Sequence, residues 1–315
     1  MQNTRQEAFA PLTPALMWQL AAPQTWAATI AAIMYAFAYS MANVAGRMDL
    51  LLSLVLLAVC FLMQSSANVF NDYYDYVKGT DTKENSSEDR FDAVLVYNNV
   101  NPNAVLAFAI VLLALAALGG GFIVWRTGWV PLVIGLVGAA VVVFYSFGKT
   151  PISHLPIGEG VIGIVMGGLV PLACSTVLMG RMDWVVLVGA IPVIIGIALI
   201  LATNNTCDIE KDSSTTRRTL PLLLGRSRAV KAYRFMAVSW LASIVVVSAA
   251  LWPSGLLFSL LAVVAVYPAY RALLRNPLVA QTRDASMAQV TMLNVLLGGL
   301  YAAACLSGSL VVWLL

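Results

Sequence analysis

Two polar clusters interrupt an otherwise apolar chain, and both are rich in carboxylates and amides. The first reads SANVFNDYYDYVKGTDT and follows a long hydrophobic run. On a continuing helix Asn68, Asp72 and Asp75 recur at i, i+4 and i+7 and share one face. Asn71 lies beside them, Lys78 follows, and Asp81 comes just after Gly79, where a helix is expected to stop. The second cluster reads LATNNTCDIEKDSSTTRRTLPLLLG. There Asn204, Asp208 and Asp212 recur at i, i+4 and i+8, with Asn205 alongside. Acids stacked a turn apart repel each other unless a cation separates them. Hard oxygen donors suit Mg²⁺, which keeps several waters and bridges one or two carboxylates to phosphate oxygens. Asp72, Asp75, Asp81, Asp208 and Asp212 are therefore the expected metal ligands, with Asp72, Asp75, Asp208 and Asp212 as the chemical centre. Arg217 and Arg218 follow the second cluster, and Tyr145 and Lys149 stand at a third polar loop, YSFGKTPISHLPIGEG. Guanidinium forks and ammonium charges pair with phosphate oxygens, so the expected arrangement is aspartate, Mg²⁺, diphosphate and Arg or Lys. Asn68, Asn71, Lys78, Tyr145, Lys149, Asn204, Asn205, Arg217 and Arg218 are its expected substrate-binding residues.

Simpler roles compete for each of these residues. Acids and amides at the end of a membrane helix often only cap it. Glu84, Glu88 and Asp89 fit a solvated loop, and Arg226, Arg228, Lys231 and Arg234 fit charges that set orientation. His154, the only histidine, fits a loop hydrogen-bonder, and a multi-histidine metal or haem site is excluded. Tyr73, Tyr74 and Tyr76 fit an interfacial aromatic belt. Gly119 to Gly121 and Gly167–Gly168 fit close helix packing. Two matching acidic faces on the same side are harder to explain as capping alone, and they resemble a weak internal repeat.

The elements that position these clusters are membrane helices. Of the 315 residues, 60% are hydrophobic and only 10% charged, against about 25% charged in a soluble domain. The apolar segments have the length a helix needs to cross about 30 Å of hydrocarbon. They predict about nine spans: 17–44, 50–71, 104–125, 129–147, 158–180, 184–205, 230–251, 255–270 and 287–314. The N-terminal stretch lacks the pattern of a cleavable signal, so the first span is expected to be retained. Cys60, Cys174, Cys207 and Cys305 have no CxxC spacing and read as packing residues rather than disulfides or zinc ligands.

Alternating connections put all but Arg47, Arg126 and Arg181 of the 18 Lys and Arg on one side. Basic loops stay cytoplasmic, so the N-terminus, including Arg5, is expected inside and the C-terminus across the membrane. All but Asp49 and Asp183 of the 15 acids fall on that same side. The expected architecture is an all-α integral membrane protein, a helical bundle with its active-site cavity on the cytoplasmic side.

At the quoted clusters the chain resembles the UbiA superfamily of intramembrane prenyltransferases, whose members carry an NDxxD-type motif after the second helix and a DxxxD motif after the sixth. Here these stand as NDYYD (Asn71–Asp75) and DIEKD (Asp208–Asp212). The GTDT ending, the paired asparagines, the RRTL run and the GEG around Glu159 look most like 1,4-dihydroxy-2-naphthoate prenyltransferases. The resemblance implies one prenyltransferase domain over residues 1–315 in the cell (inner) membrane. It also implies Mg²⁺-dependent transfer from a polyprenyl diphosphate to an aromatic acceptor, with the aspartates as metal ligands and Arg217 and Lys149 as diphosphate binders. Two departures stand out. Relatives often begin the first helix with a basic Arg-Pro-Lys-Thr-like run where this chain has AAPQT, and residues 86–103 replace a glycine-rich stretch.

Nothing in the pattern points to nucleic acid as a partner; the partners implied are the two substrates and the lipid bilayer. Another acceptor, such as 4-hydroxybenzoate, fits the same motifs. An ion-coupled transporter also uses repeated halves, but it predicts acids near the bilayer centre. A CDP-alcohol phosphotransferase would need a DGxxAR run, which the chain lacks. A purely structural protein leaves the twin acidic faces unexplained.

Overall fold

The computed structural model describes residues 9–44, 48–84 and 93–314, with side chains described as far as Gly308. Arg5, Arg47, Glu88, Asp89 and Arg90 lie outside the described residues. Seven helical segments are long and apolar enough to cross a membrane, and two further apolar helices are shorter. In chain order they are α1 (Pro14–Asn43), α2 (Leu50–Val77), α3 (Pro102–Thr127), the shorter α4 (Val130–Ser146), α5 (Gly158–Met179), the shorter α6 (Ile191–Cys207), α7 (Arg226–Leu251), α8 (Leu256–Arg275) and α9 (Arg283–Leu314). The protein is an all-helical, multi-pass membrane protein.

Helices α2, α3 and α4 pack on one another, and α6 to α9 form the other side of the bundle; α1 lies against α9 and α5, and α5 against α6. The larger core reflects this. It gathers Tyr35 and Tyr39 of α1, Trp240 and Ile244 of α7 and Leu293, Leu297 and Tyr301 of α9 around Val193 and Ile197 of α6. A second cluster joins Leu20, Val69, Phe70, Val94, Leu95 and Val100. Through it the described part of the 86–103 stretch acquires a packing role. The short helix Val94–Asn98 docks on α2, and Ala10 N–H donates to the Asn99 carbonyl at 3.0 Å.

Breaks in the helices account for the departures from the expected spans. α1 is interrupted at Ala22, which is left-handed (φ 47°), before Pro23 opens a single 3-10 turn. The stretch AAPQT is thus a helix break rather than a helix start. The expected 184–205 span splits into Val185–Gly189 and α6, with Pro192 in the new first turn, where its missing N–H costs nothing. Close packing explains some glycines and not others. A Cβ on Gly167 would lie 2.5 Å from Ile194 Cα and one on Gly119 would lie 2.6 Å from Val59 Cγ2, whereas Gly120 and Gly121 face nothing within 4 Å.

The four cysteines are free, with Cys60 and Cys174 meeting at 3.8 Å between their sulfurs. The charges separate by end. At the end away from the acidic clusters, Arg126 pairs with Asp49 at 2.6 Å and Arg181 with Asp183 at 3.6 Å.

Candidate active site

The first cluster rides on the last turns of α2. Helix α2 ends at Val77, and Gly79 adopts φ 68°, a left-handed value that glycine takes without a Cβ penalty. That turn lets the Asp75 carbonyl accept from Thr80 N–H at 2.8 Å and Asp81 N–H at 3.1 Å, folding Asp81 back toward the helix end. The second cluster continues beyond α6. Asp208 joins α6 to the short helix Ile209–Ser213, and Asp212 N–H donates to the Asp208 carbonyl at 2.8 Å. The i, i+4 stacking of the sequence therefore survives the junction. Asp72, Asp75, Asp81, Asp208 and Asp212 are all buried.

Cations of the second segment tie the two clusters together. Arg217 Nη2 donates to Asp75 Oδ2 at 2.6 Å, and its Nη1 lies 3.8 Å from Asp212 Oδ1. Lys211 Nζ reaches Asp81 Oδ1 at 2.6 Å. From the start of α9, Arg283 donates to Asp208 Oδ2 at 3.0 Å and to Asn204 Oδ1 at 2.6 Å. Around them runs a network of amides and hydroxyls. Asn71 Nδ2 donates to Asp75 Oδ2 at 3.0 Å, and Asn71 Oδ1 accepts from Ser146 Oγ at 3.2 Å. Asn205 Nδ2 donates to Glu159 Oε1 at 2.9 Å, and Thr219 Oγ1 to Asp212 Oδ2 at 3.3 Å. Tyr145 lies within electrostatic reach of Arg217, Glu159, Asp75 and Asp212.

Other expected site residues bond to the backbone or lie exposed. Asn68 Nδ2 donates to the Ala21 carbonyl and to Thr25 Oγ1, both at 2.8 Å. It satisfies the carbonyl freed by the break in α1. Lys78 Nζ donates to the Ser146 carbonyl at 2.6 Å and sits 5.4 Å from the Tyr74 ring centroid, pinning the end of α4. Burial lowers the Lys78 pKa, partly opposed by Asp75. Arg218 and Lys149 are exposed, with Arg218 donating to the Thr215 and Arg217 carbonyls. His154 is a loop hydrogen-bonder, as expected. Its Nδ1 lies 3.3 Å from Thr216 Oγ1, and its carbonyl accepts from Arg218 N–H at 2.8 Å.

Burial dominates the electrostatics. It pushes the Asp212 carboxyl up to about 6, against Arg217 and reinforced by Asp208. Burial alone would lower Arg217, but Asp75 and Asp212 outweigh it and raise its pKa. His154 is pushed down to about 4 by burial and then by Arg217. The acids also keep acceptor capacity. Asp208 Oδ1, Asp212 Oδ1 and Glu159 Oε2 are buried and accept no hydrogen bond. Among the described residues no three His, Cys, Asp or Glu side chains converge on a point that could hold a metal ion. A Mg²⁺ shared with substrate phosphates needs only one or two carboxylates and water, so the hard-oxygen donor set here fits such an ion.

Arg283 and Lys211 were visible in the sequence only as two more basic residues on the charged side. Spacing gives no sign of the Arg283–Asp208 pair, which spans 75 positions. The GEG around Glu159 was the one sequence signal for the Asn205 partner.

A buried set of facing aspartates and arginines at one end of a polytopic helical bundle defines a class of intramembrane enzyme. Comparison with known proteins agrees. The model of the UbiA prenyltransferase family matches residues 27–296. The chain is 32% identical to the 1,4-dihydroxy-2-naphthoate octaprenyltransferase of Bacillus subtilis over 238 residues, 75% of each chain. It is 27% identical to the Mycobacterium tuberculosis protein of the same name, covering 79% of this chain and 84% of that one. In fold it matches a UbiA homolog from Archaeoglobus fulgidus, whose structure was solved bound to DMAPP and Mg²⁺. That match has a TM-score of 0.63 at 13% identity, over 92% of this chain and 99% of that one. The chain belongs to the UbiA prenyltransferase family, and it is a prenyltransferase.

Proposed function

We propose that the protein transfers a polyprenyl chain from its diphosphate to 1,4-dihydroxy-2-naphthoate, in menaquinone biosynthesis. The observation that carries this reading is the meeting of the two aspartate clusters. Residues from distant parts of the chain converge, with Arg217 reaching Asp75 at 2.6 Å and Asp212 at 3.8 Å. The names of the Bacillus and Mycobacterium relatives support the acceptor, and the A. fulgidus homolog's bound Mg²⁺ supports the metal. We further read the chain as a single domain of nine spans, with α4 and α6 crossing as the shorter two. It sits in the cell membrane, with its N-terminus and the site on the cytoplasmic side.

Asp72, Asp75, Asp208 and Asp212 would hold Mg²⁺, with Asp81 at the rim. The ion would supply charge neutralisation for the departing diphosphate. Arg217, largely shielded from solvent and charged, lies where it can pass from the carboxylates to phosphate oxygens, and Lys149 adds an exposed charge from its loop. These donors stabilise the negative charge that builds as the allylic C–O bond breaks. The apolar helix walls keep water from the allylic cation. The electron-rich ring attacks that cation, forming the new C–C bond at the carboxyl-bearing carbon. The carboxylate leaves that carbon as CO₂ with its bonding electrons returned to the ring, and diphosphate is the other product.

The test is diphosphate release by the full-length protein with a polyprenyl diphosphate and either dihydroxynaphthoate or 4-hydroxybenzoate, with and without Mg²⁺. Turnover with dihydroxynaphthoate alone is expected, lost on chelation and in Asp72→Asn and Asp208→Asn proteins that still fold. Turnover with 4-hydroxybenzoate alone would reassign the acceptor, and full activity of both variants would remove the site.

A further inference from the structure

An open, largely apolar groove with a basic edge lies at the same end of the bundle, apart from the aspartate clusters. It has a volume of about 540 Å³ between the end of α8 and the first turns of α9, and Arg271, Arg275, Asn276 and Gln289 are among its lining residues. Arg271 and Arg275 are one helical turn apart, and both are exposed. They differ from the basic residues that are tied into the acidic network. Lys211, Arg217, Arg226 and Arg283 each have a carboxylate partner, whereas Arg271 and Arg275 have none among the described residues. The nearby acid Asp284 pairs with Arg283 at 3.6 Å and does not line the groove.

The groove floor is built. Asn276 Oδ1 accepts from Leu278 N–H and from Ser286 Oγ, both at 3.0 Å, and Asn276 Nδ2 donates to Gln289 Oε1 at 3.3 Å. Gln289 Nε2 in turn reaches the Ala269 carbonyl at 3.4 Å. Below the arginines the same face of α8 is apolar and open. Leu257, Leu261 and Val264 are 63%, 56% and 71% exposed and precede Pro268 and Arg271 at helical spacing. A cationic, hydrogen-bonding head continuous with a lipid-facing apolar stripe matches an amphiphile with an anionic head.

We propose that this groove binds an anionic phospholipid of the leaflet that faces the active site, with its phosphodiester between Arg271 and Arg275 and its acyl chains along α8. Guanidinium forks suit phosphate oxygens, and basic pockets between membrane helices take anionic headgroups in this way. The bound lipid braces the turn between α8 and α9, and that turn leads directly into Arg283, the partner of Asp208.

The test uses the full-length protein, delipidated in neutral detergent, with thermal unfolding as the readout. Dioctanoyl phosphatidylglycerol is expected to raise the midpoint, while dioctanoyl phosphatidylcholine and inorganic phosphate at equal concentration are not. Arg271→Gln/Arg275→Gln is expected to weaken the phosphatidylglycerol response about tenfold or more, given about 1 kcal/mol for each basic residue at an anionic surface. Arg228→Gln/Arg234→Gln removes two exposed charges from α7 and is expected to keep the response. Equal loss in both variants would reduce the effect to general surface charge and overturn the site. A phosphatidylcholine response equal to that of phosphatidylglycerol would overturn the anionic head, and a response to phosphate alone would make it a soluble-anion site rather than a lipid one.

Discussion

The two acidic clusters look alike in sequence and are built differently. The first ends an uninterrupted helix of 28 residues and is folded back by a glycine turn. Two of its acids are held from across the site, Asp75 by Arg217 and Asp81 by Lys211, each at 2.6 Å. The second cluster straddles a helix junction. Asp208 is held by Arg283 of α9, whereas Asp212, fully buried, has Arg217 only at 3.8 Å. The consequence is chemical. Asp212 is the carboxylate that burial pushes up to about 6, and the second cluster keeps two inward oxygens with no donor, on Asp208 and Asp212. Asp75, Asp81 and Asp208 thus each have a protein cation within 3.0 Å, whereas the buried Asp212 has its nearest at 3.8 Å. A Mg²⁺ ion accompanying the diphosphate would supply positive charge to Asp212.

Arg217 is shared by both clusters, so removing it should break the comparison most completely. A buried pair that loses one partner costs about 3–5 kcal/mol. Arg217→Gln is expected to lower stability by about that amount and turnover by about a hundredfold or more, measured by denaturation in detergent and by diphosphate release. Arg217→Lys should recover part of the stability but little of the activity, because lysine cannot reach both carboxylates with one planar fork. A fully active Arg217→Gln protein would separate the bridge from the chemistry.

Arg283→Gln should act on the second cluster alone. Asp208 loses its 3.0 Å partner while Asp75 and Asp81 keep theirs. The expected result is a turnover loss smaller than for Arg217, about tenfold, with the Asp81–Lys211 pair unaffected. The latter is checked by a double-mutant cycle on Asp81→Asn and Lys211→Met, which should return the same coupling, about 1–3 kcal/mol, with and without Arg283. A coupling that changes with Arg283 would show the clusters to be one network rather than two.

Much of this asymmetry is invisible in the sequence, for a physical reason. Helical spacing groups Asp72 with Asp75 and Asp208 with Asp212 because i, i+3 and i, i+4 geometry is local, and the left-handed turn at Gly79 is local too. The expectation that both clusters share cations and a diphosphate is what brings them together on paper, and Arg217 spans them in the structure. Cation partners are not local. Arg283 and Lys211 belong to a pool of basic residues gathered at one end for orientation, and only the fold tells a ligand-holding arginine from an orienting one. Asn68 and Lys78 look like substrate contacts in the sequence because they belong to the first motif's stretch. Their partners are backbone carbonyls, Ala21 and Ser146, freed by a helix break and a helix end that hydropathy does not register. The unequal span lengths have the same origin, since Pro192 and Ala22 divide segments that are continuously apolar.

The smallest effect concerns the loop that packs on the second segment. His154 stands between the 149–157 loop and the second segment, through Thr216 Oγ1 and the Arg218 N–H. Its pKa falls from 6.5 to about 4 on folding, so between those values the unfolded chain binds more protons than the folded one. Stability from this group is therefore complete above about pH 6.5 and is lost as pH falls toward 4. Asp212 works in the opposite sense. Its raised pKa means that the folded state takes up a proton as pH falls through about 6, which favours folding on the acid side. The two linkages overlap and partly cancel in the parent protein. His154→Gln removes only the first, so its unfolding midpoint should fall less than the parent's between pH 6.5 and 4. A parallel pH profile for parent and variant would mean that the loop contributes no proton linkage.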